Sequence, residues 1–196
     1  MNRRRIAFVG AAVVALWLAG CAQVSKVATG EVTVQERLSV TLDRPWNQFE
    51  GAQGDGVPTW TQEGITVDTL KFYVGLKNGG LLAPTPTEPK GQAPLEFKST
   101  MRTGEIVALF ERLYSREGST FTLDRVGPDT FADTPGFSFE FSSIRKGDDV
   151  RLRGVGWGAV HNGELFAITY TAPRLAFFPN GVASAESIAR SARIRK

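Results

Sequence analysis

The feature that most constrains the fold of this chain is an Asn162-Gly163 dipeptide between two long runs of alternating residues. Asn-Gly is the strongest short-range signal for a two-residue β-hairpin turn, because both turn positions need a positive φ. Such a turn sets the register of the two strands, starting with His161 opposite Glu164. One face of the hairpin is then apolar and should lie in the core, with the pairs Ala159–Phe166, Trp157–Ile168 and Val155–Tyr170.

The other face of the hairpin carries glycine at alternate positions, namely Gly154, Gly156 and Gly158. If the preceding turn at Lys146 is even-numbered, Arg145 pairs with Val150. The neighbouring strand then places three rings opposite the three glycines, those of Phe137, Phe139 and Phe141. Large rings over a bare strip of backbone compensate for the poor strand propensity of glycine. Both faces of the sheet are therefore expected to be apolar and covered.

Two helices are predicted to cover these faces. Thr103 can cap a helix over residues 104–116, in which Ile106 and Phe110 share an apolar side. A second helix is predicted over residues 183–192, with Ile188 as a core contact. We therefore predict an α+β fold: a single antiparallel β-sheet flanked by helices on both faces, an α/β/α sandwich.

The N-terminus has the layout of a secretory signal: three arginines, an apolar stretch over residues 6–18, and small residues ending in Leu18-Ala19-Gly20-Cys21. The tetrapeptide resembles the lipobox of bacterial lipoproteins. That resemblance implies a diacylglyceryl group on the Cys21 sulfur, cleavage after Gly20 and acylation of the new amino group. The alternative is an uncleaved membrane helix, but its apolar stretch is short of the ~20 residues that span a bilayer.

The same resemblance implies an address. An Asp after the modified cysteine commonly retains such proteins at the inner membrane, and this chain has Ala22 there. The expected location is therefore the outer membrane of a bacterial cell envelope, facing the periplasm, with the protein held in the bilayer by acylated Cys21. We divide the chain into a signal peptide (1–20), a lipidated N-terminus and tether (21–36) and one globular domain (37–196).

The charge pattern argues against a nucleic-acid partner. Three of the 23 basic residues are Arg3, Arg4 and Arg5 in the signal, which leaves 20 basic against 20 acidic residues in the mature chain. A nucleic-acid binder needs a basic surface to neutralise phosphates.

The loop over residues 78–94 is rich in Gly and Pro, which prevents regular structure. We expect this loop to be mobile and exposed. It is either a tolerated insertion or a partner-binding arm that makes contact through Leu81 and Leu82, its two sizeable apolar residues.

No catalytic or metal-binding set is evident in the sequence. His161 is the only histidine, and it lies beside a turn where a polar residue is expected. The alternating glycines at 154–158 precede no helix, so they do not form a phosphate loop. Asp148-Asp149 lacks the spacing of a calcium loop. Trp46 and Trp60 could form an exposed aromatic patch or close one end of the core. We expect no cofactor, no metal and no catalytic residue.

Several structural motifs together resemble the PsbP-type fold over residues 35–196. They are Asp43-Arg44-Pro45-Trp46 after a strand, a central helix ending at Gly118, the Asn162-Gly163 hairpin, and the tail from Ala172-Pro173 through Phe177 to Ile188 and Ser191-Ala192-Arg193-Ile194. The fold occurs in an extrinsic subunit of photosystem II, in a nuclear-transport factor that binds a small GTPase and in many bacterial envelope proteins. The resemblance implies a fold and accessory roles; it implies no activity.

We predict a non-enzymatic, membrane-anchored accessory lipoprotein that acts through an envelope protein partner. Two alternatives remain open. One is a glycan-cleaving enzyme with two carboxyl groups about 5–10 Å apart. The other is a carrier of a lipid or small apolar ligand between helix and sheet. A cleft with converging acids would favour the enzyme and a deep apolar pocket the carrier.

Overall fold

The chain forms two antiparallel sheets and two α-helices in the residues that the computed structural model describes, 23–50, 56–83 and 93–195. The helices are α1 (Thr103–Tyr114) and α2 (Phe177–Ser191). The strands are β1 (Gln23–Val27), β2 (Gly30–Val34), β3 (Leu38–Leu42), β4 (Trp46–Glu50), β5 (Thr59–Thr61), β6 (Thr69–Leu76), β7 (Thr120–Phe131), β8 (Thr134–Ile144), β9 (Arg151–His161), β10 (Glu164–Pro173) and β11 (Arg193–Ile194). Eight strands form the main sheet in the order β1-β4-β5-β6-β10-β9-β8-β7, and a small sheet has the order β11-β3-β2.

The central hairpin has the register that the Asn-Gly turn predicted. Both turn residues have positive φ, 51° at Asn162 and 79° at Gly163. His161 pairs with Glu164, and the apolar pairs follow as expected. The preceding turn, between β8 and β9, also has the predicted pairing, since the Arg145 amide donates to the Val150 carbonyl at 3.0 Å. The three phenylalanines therefore lie opposite the three glycines, in the pairs Phe137–Gly158, Phe139–Gly156 and Phe141–Gly154.

One face of the main sheet, here called the α1 face, packs its rings against α1. The ring centroids of Phe110 on α1 and Phe139 on β8 are 5.2 Å apart. Tyr114 and Phe121 lie 4.7 Å and 4.8 Å from the ring of Phe141. The absent side chains of the β9 glycines leave the space that these rings occupy. The glycine strip thus shapes this half of the core.

The opposite face, here called the α2 face, packs against both α2 and the small sheet. Trp157, Ile168 and Tyr170 from the main sheet belong to one buried cluster. Ile188 of α2 and the apolar side chains of β3 complete that cluster. The hydroxyl of Ser184 on α2 donates to the Asp43 carboxylate at 2.7 Å, which anchors the helix to the segment after β3. A helix and a small sheet together therefore cover this face.

The predicted helix-flanked α/β/α sandwich with a single sheet is wrong. The described part of the chain is mostly β, with a second, three-stranded sheet beside α2. With a single sheet, the strand before Asp43 would belong to the main sheet, but this strand, β3, lies in the small one. The error has a physical cause: an apolar face requires a cover, but the alternation pattern does not say whether a helix or another sheet supplies it.

The residues interpreted as a tether form strands instead. β1 pairs with β4 at one edge of the main sheet, and β2 pairs with β3 in the small sheet.

Helix α2 begins six residues earlier than expected, at Phe177. No helix within the described ranges is long and apolar enough to cross a membrane.

Candidate functional site

The predicted lipidation site cannot be placed in the fold, because Gly20 and Cys21 lie outside the described residues. The first described residue is Gln23, which opens β1. Lipidation therefore stays a prediction from the sequence.

The two leucines predicted as partner contacts have structural roles instead. Leu82 is 1% exposed and belongs to the buried cluster on the α1 face. Leu81 forms an isolated antiparallel bridge with Glu96. The Leu82 amide donates to the Leu95 carbonyl at 2.8 Å. The prediction of an exposed loop is therefore wrong for Leu82 and Ala83, which are buried, whereas residues 78, 79, 93 and 94 are exposed. Residues 84–92 lie outside the described part of the chain.

The other singled-out residues do not form a site. Trp46 and Trp60 are each 1% exposed, so they close the core and do not present an aromatic patch. His161 lies within hydrogen-bonding distance of the Thr134 hydroxyl, 3.2 Å from its Nδ1. Among the described residues, no cluster of three or more histidine, cysteine or acidic side chains could hold a metal ion.

A groove on the α2 face is the best candidate for a functional site. Helix α2 covers the middle of this face, and a space of about 400 Å³ remains between the helix and strands β7, β8 and β9. We call it the α2 groove. Its lining consists of Arg125, Asp129, Ser138, Phe139, Glu140, Arg153, Val155, Trp157, Phe178, Val182, Glu186 and Arg190.

Two arginine–carboxylate pairs lie in the α2 groove, one between the helix and the sheet and one between neighbouring strands of the sheet. Arg190 on α2 contacts Asp129 on β7, with Nη1 2.8 Å from Oδ1. Arg153 on β9 contacts Glu140 on β8, with Nη2 2.8 Å from Oε2. The arginine side chains are 52% and 43% exposed, against 17% for Asp129 and 32% for Glu140. The groove therefore presents guanidinium groups to solvent, with the carboxylates held beneath them.

Arg125 adds a third guanidinium that is held only loosely. Its Nη1 lies 3.7 Å from Glu140 Oε1, and its side chain is 79% exposed. An arginine has five N–H donors, so a single long contact leaves most of them available to another group.

The surroundings of Asp129 favour the ionised form of its carboxyl group. Partial burial works to raise the pKa of Asp129, but hydrogen bonds from Arg190 and the Thr130 amide outweigh burial, and the pKa lies below its ordinary value. The same contact raises the pKa of Arg190. A general acid for glycan cleavage needs a raised carboxyl pKa, so Asp129 is unsuited to that role.

The floor of the groove is partly apolar. The Arg153 guanidinium lies over the ring of Phe178, 5.5 Å from its centroid. Trp157 and Phe178 are nearly buried, and Val182 packs against the same cluster.

Gly127 lies between Arg125 and Asp129 on β7. A Cβ atom added at Gly127 would have no other atom within 4 Å. Its position in the strand thus faces open space between two lining residues.

The lining of the groove can be compared with what the two alternative functions require. A carrier needs an enclosed apolar cavity, whereas charged side chains line this groove. An enzyme of the glycan-cleaving type needs one carboxyl of raised pKa, whereas the pKa of Asp129, which lines the groove, is lowered. Arginines over an aromatic floor are instead typical of protein interfaces.

One feature of the sequence indicates this groove. Ser138, Glu140 and Ser142 alternate with the three phenylalanines of β8, so the α2 face of this strand is polar. A polar face on an outer strand indicates that the cover stops there. The pairing of Arg190 with Asp129 could not be found in the same way, because the two residues are 61 positions apart.

Comparison with known proteins bears on the fold. No protein-family model matches the chain, and no characterised protein matches it by sequence. The chain is similar to the solution structure of cyanobacterial PsbP (CyanoP) from Synechocystis sp. PCC 6803, with a TM-score of 0.57 and 9% identity. The match covers 90% of this chain and 95% of that one. This likeness concerns the fold alone, and it confirms that the chain has a PsbP-like fold.

Proposed function

We propose that this chain is a lipid-anchored periplasmic lipoprotein that works as a non-catalytic accessory protein and binds a protein partner in the α2 groove. The observation that carries the proposal is the groove itself, which is lined by three partly exposed arginines, one of which, Arg153, lies over the ring of Phe178. Interfaces are enriched in arginine and aromatic side chains, which supply both directional hydrogen bonds and buried area. The PsbP-like fold adds support for an accessory role by analogy of fold only.

The groove is tested by filling it. Gly127→Trp places a large side chain in the open space between Arg125 and Asp129, and the backbone of Gly127 has no positive φ that would penalise the change. The matched control is Gly104→Trp, because Gly104 also has open space around its Cβ and lies at the start of α1, away from the groove.

The readout is a photo-crosslinking residue at Val182, in the membrane-anchored protein in cells. We expect a defined adduct that Gly127→Trp abolishes and Gly104→Trp retains, with unchanged melting temperatures for both variants. An adduct that persists in the Gly127→Trp protein would refute the groove as the binding site.

The anchor is tested separately. Cys21→Ser should abolish metabolic labelling with a palmitate analogue, because the thioether cannot form without the thiol. It should also leave the precursor uncleaved by the lipoprotein signal peptidase. Equal labelling of the wild type and the variant would rule out lipidation at Cys21 while leaving the groove proposal intact.

A further inference from the structure

One end of the domain concentrates exposed apolar side chains. Six large hydrophobic residues are clearly exposed among those described, and three of them lie at this end: Ile144 (38%), Phe177 (36%) and Leu175 (89%). Leu175 is in the connection between β10 and α2, and it is almost fully exposed to solvent. Burial of a leucine side chain is favourable, so leaving Leu175 in water forgoes that stabilisation in the isolated domain.

The backbone holds these residues next to two arginines. The Arg174 amide donates to the Arg151 carbonyl at 2.9 Å, and Arg151 is the β9 partner of Ile144. Leu175 follows Arg174 directly in the chain. We call the five residues Ile144, Arg151, Arg174, Leu175 and Phe177 the distal patch.

The arginines of the distal patch differ from those of the α2 groove. Arg153 and Arg190 each contact a carboxylate at 2.8 Å. Neither Arg151 nor Arg174 has an ion pair with any described residue, although both are exposed. Nearby, Arg145 forms an ion pair with Asp148 at 2.6 Å, so the acidic turn after β8 is partly neutralised from within. The patch therefore combines exposed apolar side chains with two positive charges that form no ion pair within the described part of the chain.

The topology places the distal patch away from the N-terminus. β1 and β10 run in the same direction, because four successive antiparallel pairings (β1 with β4, β4 with β5, β5 with β6 and β6 with β10) connect them in the sheet. The chain enters at the start of β1, whereas the patch follows the end of β10. The first described residue, Gln23, is thus at the end of its strand that lies away from the patch. This arrangement favours a protein partner over the bilayer that holds the anchor.

We propose that the distal patch binds an acidic amphipathic segment of a partner protein. Leu175, Phe177 and Ile144 would contact its apolar side chains, and Arg151 and Arg174 would pair with its carboxylates. The inference rests on the proposed function in one respect, that this domain binds a protein. It extends that function by naming the chemistry of the partner. Because α2 begins at Phe177 and Phe178 lines the groove, the patch is continuous with the groove entrance.

The test uses three synthetic helical peptides of about 18 residues, long enough to hold helical structure. The first carries Leu on one face and Glu on the other. The second replaces Glu with Lys, and the third replaces Leu with Ser. Fluorescence anisotropy with the full domain should show binding of the first peptide only, at least about tenfold tighter than the others, and weakening with salt.

Two variants locate that binding. Arg151→Glu/Arg174→Glu should weaken the acidic peptide by about tenfold or more, because attraction becomes repulsion. Leu175→Ser should weaken it by about tenfold as well, since it removes the most exposed apolar contact, worth about 1.5 kcal/mol or more. The control is Val24→Ser, which removes another exposed apolar residue at the far edge strand and should change nothing.

Two outcomes would overturn the assignment. Equal binding of the Glu and Lys peptides would show that charge complementarity plays no part. Binding to phosphatidylglycerol vesicles that depends on Leu175, without peptide binding, would assign the patch to a membrane. Neither outcome affects the Val182 crosslink, so failure of this inference and failure of the groove proposal are separable.

Discussion

The glycine strip of β9 gives a stability prediction with a definite sign. Gly156 lies in a central strand between Phe139 on β8 and Thr169 on β10. A Cβ at this position would overlap the edge of the Phe139 ring. The ring cannot move aside, because it packs at 5.2 Å against Phe110 and at 6.0 Å against Phe141. Gly156→Ala therefore forces one methyl group into an occupied space.

The magnitude follows from two opposing effects. Overpacking a core by a methyl group typically costs about 1–3 kcal/mol. Replacing glycine by alanine in a strand returns about 0.5–1 kcal/mol through the entropy of the unfolded chain. We expect a net loss of about 1–2 kcal/mol in the free energy of unfolding. The melting temperature should fall by about 2–4 °C for each kcal/mol in a domain of this size.

The assay is equilibrium unfolding in urea, with Gly127→Ala as the matched control. Gly127 is also a strand glycine without positive φ, but its Cβ would meet no atom within 4 Å. This control should therefore be neutral or stabilised by up to about 1 kcal/mol. A second variant, Gly156→Ala/Phe139→Leu, should lose less stability than the sum of the single changes, because the smaller side chain makes room. A Gly156→Ala protein as stable as Gly127→Ala would refute the packing argument.

Three further predictions concern single contacts. Asp68 is 1% exposed and accepts hydrogen bonds from the Thr61 hydroxyl at 2.6 Å and the Glu63 amide at 2.8 Å. Asp68→Asn should lower the free energy of unfolding in urea by about 1–3 kcal/mol, because the NH₂ group of the new asparagine would face groups that are themselves donors. Leu82→Ala should lower the free energy of unfolding by about 2–5 kcal/mol, whereas the same substitution of an exposed leucine would change it very little. The pKa of Glu164 is lowered chiefly by its hydrogen bond from Arg37. The pair therefore stabilises the fold above the unfolded pKa of about 4.3 and ceases to do so as pH falls through the lower folded pKa. Glu164→Gln should thus destabilise by about 0.2–1 kcal/mol at pH 7, with the two unfolding curves converging in acid; a constant difference down to the acid limit would contradict this.

Local sequence patterns determined the hairpins of this protein. Asn162-Gly163 gave the register of β9 and β10 because a two-residue turn leaves only one alignment of the strands. The same alternation placed the phenylalanines opposite the glycines, and the helical spacing from Ile106 to Phe110 identified α1. The charge balance of the mature chain and the layout of residues 1–21 also needed no structure. All these inferences use residues close together in the chain, where geometry is local.

Only the tertiary structure decided what covers each face and where the chain leaves surface exposed. In the small sheet, β3 pairs with β2, which lies in the segment predicted as a tether, and Leu82 lies in the core. Arg190 and Asp129 meet across the α2 groove although they are far apart in sequence. An apolar face has the same pattern whether a helix, a sheet or a loop covers it. Pairings across the domain depend on how the elements pack, which local periodicity does not encode.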